Sequence, residues 1–361
     1  MISYEVPEIH LLSVKSRTGE QLKALGDSSL IEEVYSSSVF KSTTDMDPVN
    51  SEYEDEIWNT QWDMQQVTGN QKSYQMHMAD KETVIAIIDS GITPDHPDLA
   101  ESIVEGSKNM VPKGGYKGAE PYETGDIHDF EDKMGHGTGV AGQITANGVI
   151  KGAAPGIGIR GYRVFGLRSA KTEWILKAIV EAAKDDADVI NLSLGEYMLI
   201  SGESNNGGND RLEYKAYQRA INYAYKQGSI VVAAVGNDGV DVKNRQEINP
   251  LYPNLLTDHG WTASAKVVDM PASLPKVVSV GSVGPTGERS TFSNYGRNFI
   301  DIYAPGGDFR YLNMYGMDGW ITGGWFEKEL ILTTSIDGTY YYDAGVSYAA
   351  PKVSAALGLV K

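Results

Sequence analysis

Three residues far apart in the chain are of the types that nucleophilic acyl transfer uses. Asp89 closes the apolar run Val84-Ile85-Ala86-Ile87-Ile88, with Ser90-Gly91 turning the chain after it. His136 is framed by glycines in Met134-Gly135-His136-Gly137-Thr138-Gly139-Val140-Ala141-Gly142. Ser347 lies in Asp343-Ala344-Gly345-Val346-Ser347-Tyr348-Ala349-Ala350-Pro351-Lys352, among small residues and just before an apolar helical run. A serine hydroxyl is a poor nucleophile at neutral pH until a base takes its proton. Histidine can take that proton and return it, and a buried carboxylate fixes its tautomer and stabilises the imidazolium. Small neighbours let a substrate backbone approach the hydroxyl. Taken singly, each residue also has an ordinary explanation: a carboxylate capping a loop, a glycine-rich turn, a serine N-cap. Order, strand-end placement and glycine framing agree only on the joint reading.

The elements that must position these residues are legible from texture. From Thr83 onward, apolar strands alternate with amphipathic helices. Val84–Asp89, Val189–Leu194 and Ile230–Val235 read as strands buried on both faces. Trp174, Ile175, Ala178, Ile179 and Ala182 recur at helical spacing. So do Leu212, Ala216, Tyr217, Ala220, Ile221 and Ala224, with Gly228 placed to stop that helix. Alternating strand and helix predicts an α/β fold, a mainly parallel sheet covered by helices on both faces, with sites beyond the carboxyl ends of its strands. Upstream, Ile9–Lys15 reads as a strand, Arg17–Leu25 as a short helix and Leu30–Phe40 as a second strand, and the acidic stretch Lys41–Glu56 as a linker. We expect a small α+β segment over 1–45, a linker over 46–60 and the main domain over 61–361. Gly202–Asn209 reads as a flexible loop.

The chain has 361 residues, enough for one large core and a small appendage. No apolar run is long enough to span a membrane, and the first twenty residues lack the order of a signal peptide. The formal net charge of −17 disfavours nucleic acid and anionic membranes and favours cationic partners. With no cysteine, disulfides, thiolate nucleophiles and cysteine metal sites are excluded.

The segments VIAIIDSG, GHGTGVAG, Val235-Gly236-Asn237 and GVSYAAP together resemble the signature segments of the subtilisin-like serine proteases, the subtilases, over roughly residues 60 to 361. The resemblance implies a three-layer subtilisin-like fold in which Asp89 orients, His136 acts as general base and acid, and Ser347 is the nucleophile. Asn237 would offer its amide to the oxyanion beside the Ser347 N–H. Three positions depart from the family pattern. Gly139 stands where a second histidine is usual, and Val346 and Tyr348 where threonine and methionine are usual.

The same resemblance places Ser193-Leu194-Gly195 on the strand that pairs with an extended peptide substrate. It places Asp269, in Val268-Asp269-Met270-Pro271, at the floor of the primary specificity pocket, where a carboxylate would select arginine or lysine before the scissile bond. A solvated loop aspartate is the alternative, with Asp238 as the second candidate for the pocket acid. The segment Gln143–Gly152 lacks the loop that holds a strong calcium ion in subtilisins. The cluster Asp126, His128, Asp129, Glu131 and Asp132 reads as an exposed acidic loop rather than a cation site, so no metal and no cofactor is expected. Residues 1 to about 45 look like the later half of a subtilase propeptide, which would make the protein's own propeptide a partner. The last helix stops at Lys361, where family members usually continue. Ala350-Pro351-Lys352-Val353-Ser354-Ala355-Ala356-Leu357, the long middle insertion and the Met270-Pro271 turn resemble the subgroup that removes leaders from lantibiotic precursors, commonly after arginine. That implies a monomeric enzyme working outside the cell or at its surface. The competing readings are a general extracellular subtilase and a catalytically silent subtilase fold used as a binding module.

Overall fold

The computed structural model describes residues 2–14, 31, 39–41, 48–49, 54–76, 79–202, 204, 208–252 and 265–361. At its centre is a sheet of seven strands in the order β14-β13-β11-β9-β5-β7-β6. These are Val84–Asp89 (β5), Lys108–Asn109 (β6), Gly158–Arg163 (β7), Val189–Leu192 (β9), Ile230–Ala234 (β11), Val277–Val283 (β13) and Ile302–Pro305 (β14). Every pairing in it is parallel. The inner strand β5 has no solvated face, which is why it reads as an unbroken apolar run: Ile85, Ile87 and Ile88 are all buried. Each such side chain contributes about 1.5–3 kcal/mol relative to exposure.

Helices cover both faces. His136–Thr145 (α4) packs with Val346–Val360 (α10) on one, and Thr172–Lys184 (α5) packs with Arg211–Gln227 (α6) on the other. The expected stop at Gly228 is present: it is left-handed (φ 97°) and its N–H returns to Ala224. The other described helices are Glu54–Thr60 (α1), Trp62–Val67 (α2), Lys72–Met76 (α3), Arg245–Ile248 (α7), Arg310–Thr322 (α8) and Trp325–Glu329 (α9). Among the described residues no helix is long and apolar enough to cross a membrane.

Smaller sheets decorate this core. Ile2–Val6 (β1) and Leu11–Val14 (β2) form an antiparallel pair. It is shorter than expected, because Ile9 lies in a 3-10 turn closed by left-handed His10. The pair rests on α5 and α6, burying Val6 and Ile9. Val39–Lys41 (β3) pairs antiparallel with Ser169–Lys171 (β8). Glu196–Ser201 (β10) pairs with Lys266–Met270 (β12). Ile331–Thr334 (β15) pairs with Tyr340–Asp343 (β16), and Pro48–Val49 (β4) extends that sheet. The stretch expected to be a bare linker therefore carries a strand and the helix α1. Its acidic composition hid an edge pairing supplied by a strand almost 300 residues away. The expected Arg17–Leu25 helix and most of the Leu30–Phe40 strand lie outside the described residues.

One buried ion pair joins the early helices to the core. Lys352 of α10 reaches Asp63 of α2 at 2.8 Å, and it also donates to Gln143 and to the Tyr348 carbonyl. Both partners are fully buried, and burial lowers the Lys352 pKa against the pull of Asp63.

Candidate active site

Three neighbouring strands deliver the site at their carboxyl ends, where a parallel sheet leaves its crevice. Asp89 is the last residue of β5, Ser193 follows β9, and Val235-Gly236-Asn237 follows β11. The helix starts of α4 and α10 add His136 and Ser347. Asp89, His136, Ser193, Leu194, Gly195, Asn237, Asp238, Asp269 and Ser347 all line one cleft.

His136 Nδ1 stands 2.8 Å from Asp89 Oδ1, which also accepts the Ser90 N–H at 2.7 Å. Asp89 Oδ2 is buried without a hydrogen-bond partner among the described residues. Its charge is therefore poorly compensated until a proton reaches the imidazole. Burial acts to depress the His136 pKa, but the Asp89 charge and hydrogen bond, then Asp343 and Asp132, override it and hold the pKa above its ordinary value. Asp132 also caps the turn that starts α4. Its Oδ1 accepts from Met134 and Gly135, and its Oδ2 from the N–H and hydroxyl of Thr138.

Ser347 Oγ donates to the Ser193 carbonyl at 3.2 Å rather than to His136, so χ1 must turn for the hydroxyl to meet its base. Ser347's own carbonyl has lost its helical donor, because Pro351, four residues on, has no N–H. The Ser193 hydroxyl takes that place at 2.8 Å. The proline thus ties the Ser193-Leu194-Gly195 backbone to the nucleophile turn. Asn237 Oδ1 accepts from the Val346 N–H at 3.0 Å, which aims its Nδ2 away from that contact. A Cβ on Gly345 would stand 3.7 Å from both Asn237 Nδ2 and the Ser347 N–H. With φ 168° the backbone is extended, a conformation that any residue can adopt. Two N–H donors converging beside a hydroxyl can stabilise a tetrahedral oxyanion.

The pocket beyond the nucleophile is acidic. Asp269 is 1% exposed on β12, and its Oδ2 accepts from the Gly236 N–H at 2.9 Å and from Asn294 Nδ2 at 2.8 Å. Burial raises its pKa to about 6, opposed by those two hydrogen bonds. This is not the solvated loop aspartate of the alternative reading. Asp238 lies in the same cleft and accepts from Tyr197, whose oxygen accepts from Asn294 at 2.7 Å. Glu196, directly after Gly195, is a third acid lining the cleft, and burial drives its pKa well up. Sequence reading missed Glu196, Tyr197 and Asn294, and it placed Asp132, which is buried, in an exposed loop. Only the position of Glu196, next to the expected substrate strand, gave a signal.

The other acidic cluster is spent on structure. Asp126 caps the His128 N–H, Asp129 pairs with Lys133 and Arg163, and Asp132 holds the α4 turn. No group of three potential ligands that could hold a metal occurs among the described residues. After α4, the Asp98 carboxylate accepts from the N–H groups of Val149 and Ile150 and from the Tyr340 hydroxyl.

Comparison with known proteins agrees with this geometry. The sequence model of the subtilase family matches residues 80–361. The chain is 41% identical over 366 residues to the epidermin leader peptide-processing serine protease EpiP of Staphylococcus epidermidis, covering 99% of this chain and 78% of that one. It is 47% identical over 305 residues to the nisin leader peptide-processing serine protease NisP of Lactococcus lactis subsp. lactis, covering 84% of this chain and 44% of that one. The crystal structure of EpiP from Staphylococcus aureus superposes with a TM-score of 0.89 at 41% identity, over 99% of this chain and 82% of that one. The chain belongs to the subtilase family and is a subtilisin-like serine protease.

Proposed function

We propose that this protease removes the leader peptide from a lantibiotic precursor by cutting after a basic residue, arginine above all. The observation that supports the basic-residue reading is the acid-lined cleft, with buried Asp269 and Asp238 both among its lining residues. The leader-peptide reading rests on the relatives, whose names describe leader processing. In the cycle we assign, His136 takes the Ser347 proton as the hydroxyl attacks the scissile carbonyl, and Asp89 stabilises the imidazolium. The Asn237 amide and the Ser347 N–H meet the oxyanion, and His136 returns the proton to the leaving amine. The substrate lies extended along Ser193-Leu194-Gly195, whose backbone is outside any strand pairing.

The segment 1–45 we assign as a propeptide remnant. Its β1–β2 pair rests on α5 and α6, and its last described strand, Val39–Lys41, occupies the edge of β8. β8 begins four residues after Phe165, which lines the cleft. We further assign an enzyme that works as a monomer, needs no metal or cofactor, and acts outside the cell or at its surface.

Cleavage-site mapping on a peptide library tests the specificity. Wild type should cut after arginine, and Asp269→Asn should lose roughly ten- to a hundredfold of that preference, since hydrogen bonds to charged groups contribute about 1.5–3 kcal/mol. Cleavage after leucine or methionine should hold or rise. If Asp269→Asn keeps the preference and Asp238→Asn loses it, the pocket acid is Asp238. If neither matters, a general extracellular protease replaces the leader peptidase.

A further inference from the structure

Two of the three departures from the family pattern, Gly139 and Tyr348, converge on one place. Tyr348, next to the nucleophile and 1% exposed, donates its hydroxyl to Asp343 Oδ2 at 2.6 Å. Its single proton is thereby committed. The Tyr341 hydroxyl, 3.1 Å from the Tyr348 oxygen, must then be the donor in that contact. The tyrosine pair also accounts for Gly139. A Cβ there would come within 2.5 Å of the Tyr341 hydroxyl and 3.2 Å of the Thr333 methyl, so Tyr341 fills the space a histidine side chain would need. Asp343 is anchored as well, its Oδ1 accepting the Ala344 N–H at 2.8 Å.

This chain of contacts has two geometric consequences. Asp343 is the last residue of β16 and Tyr348 lies in the first turn of α10, so their hydrogen bond closes a clasp across Ala344–Ser347. The nucleophile sits inside that clasp. The Tyr348 ring also lies against His136, with centroids 6.0 Å apart and planes tilted by 50°. The imidazole is thus held by Asp89 at Nδ1 and flanked by a tyrosine whose hydroxyl is fixed to a second carboxylate.

We propose that Asp343 and Tyr348 form a second positioning arm of the catalytic site, Tyr348 fixing the imidazole and the Ser347 turn while Asp343 supplies a further negative charge toward His136. The proposal rests on His136 being the general base. The groups acting on His136 are Asp89 from β5, Asp132 from the turn before α4, Asp343 from β16, and Tyr348 from α10. Asp343 and Asp132 add to Asp89 in raising the imidazole pKa. Asp343 is raised by its own burial, and the Tyr348 hydrogen bond, the Ala344 N–H and the charge of His136 pull it back.

The two residues separate by experiment, with any peptide the wild type cuts as substrate. Asp343→Asn keeps an acceptor for Tyr348 and removes the charge. The imidazolium then loses stabilisation, so the acid limb of the kcat/KM–pH profile should move down by about half a pH unit or more, with KM unchanged. Tyr348→Phe keeps the ring and opens the clasp. Its plateau kcat should fall several-fold at constant KM, with a smaller movement of the limb. An unmoved acid limb in folded Asp343→Asn overturns the proposal. So does activity in both variants that falls only in proportion to the folded fraction measured by circular dichroism. His136→Ala, run beside them, separates the two failures. If it abolishes turnover while Asp343→Asn leaves the limb in place, only this inference falls. If it keeps turnover, the assignment of His136 as general base falls with it.

Discussion

Two clusters of buried charge lie close together on α10 and do opposite things. Only Tyr348, Ala349, Ala350 and Pro351 lie between Ser347 and Lys352 on the helix. Around Ser347, the charges of Asp89, Asp343 and Asp132 surround a group that changes protonation during turnover. Around Lys352, the partner Asp63 holds one fixed ion pair, with Gln143 and a backbone carbonyl taking two of the ammonium's hydrogens. In the first cluster the cation the carboxylates meet is the imidazolium that forms as His136 takes the Ser347 proton, which is how charge raises a rate. The second is compensated throughout, so removing one partner affects the fold rather than the chemistry. Burial alone therefore does not distinguish a functional charge from a structural one. What distinguishes them is whether the counter-charge is permanent.

The contrast can be broken in graded steps. Ser347→Ala should lower kcat by a factor on the order of 10⁶, the scale known for a subtilisin, while the thermal midpoint stays at the wild-type value. Turnover near wild type would remove Ser347 from the mechanism, and a large drop in midpoint would show the active-site cluster to be structural after all. Asp63→Ala should do the converse. It leaves the Lys352 ammonium buried without its counter-ion, at a cost of about 3–5 kcal/mol read by urea unfolding. At temperatures where the variant remains folded, its kcat should stay within a few-fold of wild type. A stable Asp63→Ala protein with lost activity would merge the two clusters into one functional network. Asn237→Ala should reduce kcat by roughly 10²–10³ with little change in KM, a magnitude taken from an oxyanion donor of a subtilisin. A variant that loses affinity and keeps kcat would assign the amide to ground-state binding. Because Asn237 also accepts the Val346 N–H, this variant should show the smallest but still measurable loss of stability, about 1 kcal/mol.

Much of the site was legible from sequence because its chemistry needs particular side chains at particular element boundaries. Asp89 had to end a buried strand, and the apolar run before it showed where that strand was. Gly228 had to end a helix, because a left-handed residue stops one. Ser347 among small neighbours followed from the need for room around a nucleophile. These are local demands, and local demands leave a local pattern.

What the tertiary structure decided is whatever depends on two distant segments meeting. Nothing in the residues around Asp343 shows that its carboxylate meets Tyr348, or that Tyr341 fills the volume left by Gly139 from a distant segment of the chain. The pairing of Pro48–Val49 with Tyr340–Tyr341 was invisible, since a two-residue edge strand has no periodicity to read. The acidic loop is exposed at Asp126, His128 and Glu131 as expected, but Asp129 reaches Arg163, fully buried on β7, and Asp132 is buried. The sequence determined the catalytic groups, because chemistry restricts residue type. It left open the partners that tune them, because a carboxylate or a phenol can meet its partner from any segment that packing brings within 3 Å.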